Sequence, residues 1–181
     1  METRDLAIVI GQALTGDEEL LRILHYVPEF DGDDPLDESK PSLLDNDDID
    51  EKWALINTHI KNTPKTDDLT VNPIGRVLFF MGRRSNGVNN PDFDDQDVVF
   101  DVIMHEDYAI NYQLEMAVDY LIKAFNDRQL GRFDRPSDQK VGIGRLKFDG
   151  SEPIGSISPG YIGHRIVFVA TLRGRARVRS R

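Results

Sequence analysis

The chain has 181 residues, 39 % of them hydrophobic and 30 % charged, which suits one ordinary domain with long loops or an arm and leaves little for a second core. It has no cysteine, which excludes disulfide frameworks, thiolate zinc sites and cysteine nucleophiles. The net charge of −10 hides two opposed parts: Arg173, Arg175, Arg177, Arg179 and Arg181 hold five of the 22 basic residues, and without them 17 face 32 acids, a body near −15.

In chain order, Leu6, Val9, Ile10, Ala13 and Leu14 fall at helical spacing after an N-cap at Thr3. Thr15-Gly16-Asp17 interrupts the pattern, and Leu20, Leu21 and Leu24 resume it, so the first 26 residues predict two short helices or one kinked helix covering a sheet. Residues 28–50 are punctuated by Pro28, Pro35 and Pro41 and carry Glu29, Asp31, Asp33, Asp34, Asp37, Glu38, Asp45, Asp47, Asp48 and Asp50 against the single Lys40. Proline and like-charge repulsion make this a loop, facing solvent or a partner. It lacks the Gly and Glu positions of a calcium-binding EF-hand loop, so no metal is expected there.

From Asp50 to Ile60 the spacing of Trp53, Leu55, Ile56 and Ile60 predicts a helix, ended by Asn62-Thr63-Pro64. Two strands follow: Ile74 to Met81 alternates, and Val98 to Met104 is rich in β-branched residues. Between them, 82–97 contains Asn86-Gly87, Asn89-Asn90-Pro91 and the acids Asp92, Asp94 and Asp95, which predicts a long hairpin loop of the kind that meets a partner.

Residues 108–128 give the strongest helical period, through Ile110, Leu114, Ala117, Val118, Leu121, Ile122 and Phe125, with Asp107 as cap and Gly131 as terminator. A last hairpin is expected from Val141, Ile143, Leu146 and Phe148 to Ile162, Ile166, Val167, Phe168, Val169 and Leu172, joined by 149–160. The order predicts an α+β fold: a four-stranded, mainly antiparallel sheet of two hairpins, the long helix on one face and N-terminal helices beside it. The expected organisation is one domain over 1–172 and a basic arm over 173–181.

Catalytic signatures are scarce. His25, His59, His105 and His164 fall at no i, i+4 metal spacing, and His105-Glu106-Asp107 lacks the second histidine of a zinc-protease helix. Gly142-Ile-Gly144 misses the third glycine of a dinucleotide fingerprint, no Walker sequence occurs, and Ser156 and Ser158 stand outside a GxSxG elbow. Neither an enzyme nor a cofactor is expected. The N-terminus has no basic segment leading into an apolar one, and no apolar run reaches the ~18 residues of a membrane helix, so synthesis in the cytoplasm is expected. In the tail, arginine alternates with Gly174, Ala176, Val178 and Ser180, so an extended arm would show a row of guanidinium groups on one side. Three readings stay open for it: a solvated tail, pairing with carboxylates of a neighbouring subunit, or contact with nucleic-acid phosphates.

Two stretches resemble the tail-terminator and tail-completion (head-tail joining, neck) proteins of tailed bacteriophages. One is Leu20-Leu-Arg-Ile-Leu-His-Tyr26 with Asp34-Pro-Leu36 and Ile56-Asn-Thr-His-Ile-Lys-Asn-Thr-Pro-Lys65. The other runs from Val98 through the 108–128 helix to Gly150-Ser-Glu-Pro-Ile154 and Tyr161-Ile-Gly-His-Arg-Ile-Val-Phe168. The resemblance implies a non-enzymatic virion subunit, made in the host cytoplasm, that forms a ring, usually a hexamer, capping the tail tube and joining it to the head. It implies contacts with the tail-tube protein and neck or connector proteins through 82–97 with Asp92, Asp94 and Asp95, through 149–160, and through the arginine tail. The alternative within the particle is a head-completion or stopper protein that contacts the portal and, through the tail, DNA.

Overall fold

The computed structural model describes residues 2–69, 73–86, 93–130, 145–155 and 157–173. Helices α1 (Thr3–Thr15) and α2 (Glu18–His25) form where leucine spacing places them, with Leu6, Ile10, Leu14, Leu20, Leu21, Ile23 and Leu24 fully buried. Glu2, not Thr3, occupies the cap of α1, and its backbone N–H donates to the Asp5 carboxylate at 3.1 Å. Asp17 caps α2 by accepting from the Leu20 N–H at 3.1 Å. Asp48 does the same for α3 (Ile49–His59), which buries only Ile56 and His59 and leaves Trp53 half exposed.

Residues 26–48 contain neither helix nor strand, yet they are tied to the body. The Glu18 carboxylate accepts from the Leu43 and Leu44 N–H groups at 2.8 and 2.9 Å, Tyr26 donates to the Pro41 carbonyl at 2.7 Å, and Lys40 pairs with Asp33 at 2.7 Å. The Asn111 amide donates to the carbonyls of Phe30 and Asp33 and accepts from the Gly32 N–H. Such a loop has most of its acids in water and its backbone anchored.

The sheet has five strands in the order β1-β2-β3-β5-β4: β1 (Ile60–Lys61), β2 (Gly75–Asn86), β3 (Phe93–His105), β4 (Leu146–Pro153) and β5 (Tyr161–Arg173). It is therefore mixed rather than the expected four-stranded antiparallel sheet, because β1 adds parallel to β2 through Ile60↔Val77 and Lys61↔Leu78. Two residues are too few to show an alternating pattern, and they extend directly from the end of α3. At the centre, β3 and β5 pair without a break from Phe93↔Arg173 to His105↔Tyr161.

The expected loop over 82–97 is largely strand. The pairs Arg84↔Gln96, Ser85↔Asp95 and Asn86↔Asp94 extend the hairpin past a bulge between Met81 and Arg84. Cross-strand chemistry outweighs the turn signals here: Arg84 pairs with Asp94 at 2.7 Å, and the Gln96 amide donates to the Gly82 carbonyl at 3.1 Å inside the bulge. In the second hairpin β4 runs on to Pro153, so 149–153 is also strand, with a bulge between Phe148 and Gly150. The Asn126 side chain accepts from the Phe148 N–H at 3.1 Å, and the Asp127 N–H donates to the Leu146 carbonyl at 2.8 Å, so the first part of β4 is engaged on its outer side.

The helix expected over 108–128 with Asp107 as cap is split. A 3-10 segment, Glu106–Asn111, is followed by Tyr112 in the left-handed region at φ 52°, and only then by α4 (Gln113–Phe125). Long-range demands break it: Tyr108 Oη donates to the Leu24 carbonyl at 3.1 Å, and the buried Gln113 amide donates to the carbonyls of Ile23 and Tyr26 at 2.6 and 2.8 Å. These bonds close the C-terminal end of α2. Gly131, Val141 and Ile143 lie outside the described residues.

One face of the sheet carries the main core, where Val98, Phe100, Val102, Met104, Ile166, Phe168, Ala170 and Leu172 meet α1, α2 and α4. Phe100 sits edge-on to Phe125 and Phe168 at 5.1 and 5.6 Å between ring centres. The reverse face carries a smaller cluster of Leu78, Ile103 and Tyr161, packed by Leu69, Ile74, Ile154 and Ile157. Beside it Arg165 grips the buried Asp101 through two hydrogen bonds of 2.7 and 2.8 Å.

Candidate interaction surface

Of the residues expected to form contacts, Asp94 and Asp95 lie on β3. Asp94 faces Arg84, and Asp95 accepts from the Thr171 hydroxyl at 3.3 Å. Arg173 ends β5, opposite Phe93. Asp92, Arg175, Arg177, Arg179 and Arg181 lie outside the described residues. The structure thus brings Asp94, Asp95 and the start of the arm to one end of the sheet.

At the other end of β5 a groove of 760 Å³ opens between α4 and the β4–β5 hairpin. Leu114, Val118 and Ile122 form its helical wall, and Pro153, Ile154, Ile157 and Ile162 its sheet side. It exists because Ile162, His164 and Pro153 point to the helix face of the sheet, as register partners of Met104 and Val102, where α4 does not cover them. Ile162 is 37 % exposed, and Glu115 and Asp119 stand exposed on the rim. Neither acid makes an ion pair among the described residues. In the groove, the Nδ1 atom of His164 is shielded from solvent and has no hydrogen-bond partner among the described residues. The contact segment expected over 149–160 supplies Ser151, Pro153, Ile154, Gly155 and Ile157 to this groove, while its pairing with α4 has no local signal because the two halves are about forty residues apart.

A second concavity of 430 Å³ is lined by His25, Leu55, Thr58, His59, Pro73, Ile74 and Tyr108. Here two histidines that spacing left apart form a pair. Nδ1 of His59 lies 2.7 Å from the Gly75 carbonyl, so it carries the proton and leaves Nε2 to accept from Nδ1 of His25 at 3.1 Å. Burial lowers both pKa values, that of His59 to about 4, and keeps the pair neutral at neutral pH. Its partner groups are a backbone carbonyl and another imidazole, which suits a neutral brace between α2, α3 and β2. No three His, Asp or Glu side chains gather as a metal-ligand set among the described residues. No helix among them is long and apolar enough to cross a membrane.

Residues 17–170 match the family model YomW, a span that includes α2, the acidic loop, the sheet and both concavities. The chain belongs to the YomW family. It is similar to the SPbeta prophage-derived uncharacterized protein YomW of Bacillus subtilis (strain 168), with 31 % identity over 160 residues, 84 % of this chain and 86 % of that relative. The YomW match starts at the Asp17 cap and stops at Ala170, three residues before β5 ends. It therefore includes the groove between α4 and the hairpin and stops short of the arginine arm.

Proposed function

We propose that this chain is a phage-derived structural subunit, a tail-terminator or tail-completion protein that forms a ring, closes the tail tube and joins it to the head. The observation that carries the proposal is membership of a family with a prophage-derived relative, matched over nearly the whole length of both chains. The local likeness to terminators in the α4 and β5 region points the same way. So does the apolar, acid-rimmed groove between α4 and the hairpin, a solvent-open concavity of the kind that receives a segment of another chain. The subunit is a non-enzymatic one whose partners are further copies of itself, the tail-tube protein and neck proteins. A ring needs a heterologous contact, in which one patch of a copy meets a different patch of the next.

Electron microscopy of the full-length protein at high concentration, alone and mixed with tail-tube protein, tests the proposal. Closed rings, and tubes that stop growing when the protein is added, are the expected result. A protein that stays monomeric in both conditions and leaves tube growth unaffected would overturn it. Salt-sensitive DNA binding without rings would favour the stopper station in the neck instead.

A further inference from the structure

The groove beside α4 and the arginine arm have complementary chemistry and lie at opposite ends of the same strand. We infer that the arm Gly174 to Arg181 of one copy lies in the groove of the next, which makes this the contact that closes the ring; the inference deepens the ring reading and rests on it.

Reach excludes the same chain. The arm holds eight residues beyond Arg173, an extended span of about 26–29 Å. The lining of the groove on β5 begins at His164, nine residues before Arg173 and so about 30 Å away along the strand, and continues to Tyr161. On β4 the lining starts at Ser151, opposite Ile166 and so about 23 Å from Arg173, and an arm that spends two residues turning back keeps only about 20–22 Å, so it ends before it enters the groove. A second copy has no such limit, and an arm at one end filling a groove at the other is the heterologous geometry that generates rings.

Charge and spacing supply the match. The arm carries five arginines when Arg173 is included and no acid. The rim carboxylates of Glu115 and Asp119 are one helical turn apart, a rise of about 6.0 Å, and alternate residues of an extended chain are about 6.6 Å apart. Successive arginines therefore meet successive carboxylates in step, while Ala176 and Val178, on the other side of the arm, face the apolar lining, Val118 and Ile122 on the helix and Ile162 on the sheet.

The chain has no cysteine, so paired single-cysteine variants of the full-length protein report the contact directly. A mixture of Glu115→Cys and Arg177→Cys copies, mildly oxidised at low salt, should give a disulfide-linked heterodimer. The yield should fall severalfold at about 0.5 M salt, where surface charge pairs are screened. Exposed Ala54→Cys on α3 serves as the control. Equal yield at Ala54→Cys, an intramolecular loop in a chain carrying both cysteines, or no adduct would each overturn the inference. Rings of the unmodified protein without the adduct sink the arm-in-groove contact and leave the ring reading standing; loss of both removes both. In a second arm, Glu115→Arg with Asp119→Arg should raise the concentration for half-assembly at least about tenfold. Adding Arg175→Glu and Arg177→Glu to the same chain should restore it, which a simple folding defect would not allow.

Discussion

Nδ1 of His25 lies 3.1 Å from Nε2 of His59, and the far nitrogen of His59 is held by the Gly75 carbonyl, so one line of hydrogen bonds joins the end of α2, the end of α3 and the start of β2. The line holds only while His59 is neutral, because a proton on its Nε2 would meet the Nδ1–H of His25.

That requirement makes stability depend on mildly acidic pH. His59 titrates at about 4 in the folded chain against 6.5 when free, so the unfolded chain takes up the proton first as pH falls. Its stabilisation is complete above about 6.5 and is lost progressively toward about 4, with about 2 kcal/mol gone by pH 5. Urea unfolding at pH 7 and pH 5 should show that loss, and His59→Gln should reduce the difference between the two pH values. An unchanged difference in the variant would refute the assignment.

Gly75 admits no side chain. A Cβ built there would stand 2.6 Å from the Leu24 carbonyl oxygen and 3.0 Å from its Cα, both backbone atoms that cannot swing away. Gly75→Ala should lower the unfolding free energy by about 1–3 kcal/mol through overpacking. It should also separate the two histidines, seen as a change in their imidazole NMR signals; native-like stability and spectra would show that α2 yields freely.

Asp101 is buried at the centre of the sheet's reverse face, while 40 % of the Arg165 side chain remains exposed. Asp101→Asn should cost about 1–2 kcal/mol, less than the ~3–5 kcal/mol of a fully buried pair, because solvent can rehydrate the freed guanidinium. A double-mutant cycle with Arg165→Met measures the coupling, and a coupling near zero would count against the pair.

Tyr112 is 74 % exposed and holds φ 52°, a conformation glycine adopts without strain. Tyr112→Gly should therefore be neutral to stabilising, by up to about 1 kcal/mol, where glycine elsewhere in a helix start destabilises. Thermal unfolding decides it, and a clear fall in midpoint would mean that the ring contributes packing.

The helices α1 and α2, the cap at Asp17–Glu18 aside, follow from leucines at spacings that have one buried solution, and β3 and β5 follow from their β-branched runs. The hairpin tip misled because its acids read as turn and solvent signals, while Arg84, the partner that makes Asp94 acceptable in a strand, sits ten residues earlier. Tyr112 is unreadable for a related reason: the pull of Tyr108 and Gln113 toward the end of α2 acts across some ninety residues, and the local 3.6-residue period continues through the break. His25 with His59, and the pairing of the groove's two walls, are likewise products of tertiary placement, with no local pattern to announce them.

The outer margins of the sheet decide how copies can and cannot adhere. On one flank the two-residue β1 and the bulge at Met81 to Arg84 interrupt the line of free peptide groups; on the other, Asn126 and Asp127 occupy the beginning of β4 and Pro153 withholds a donor at its end. Bare strand edges brought together at high concentration zip together indiscriminately. With its flanks blunted in this way, the polypeptide leaves recognition to side chains, which can demand a particular neighbour where a bare backbone accepts any.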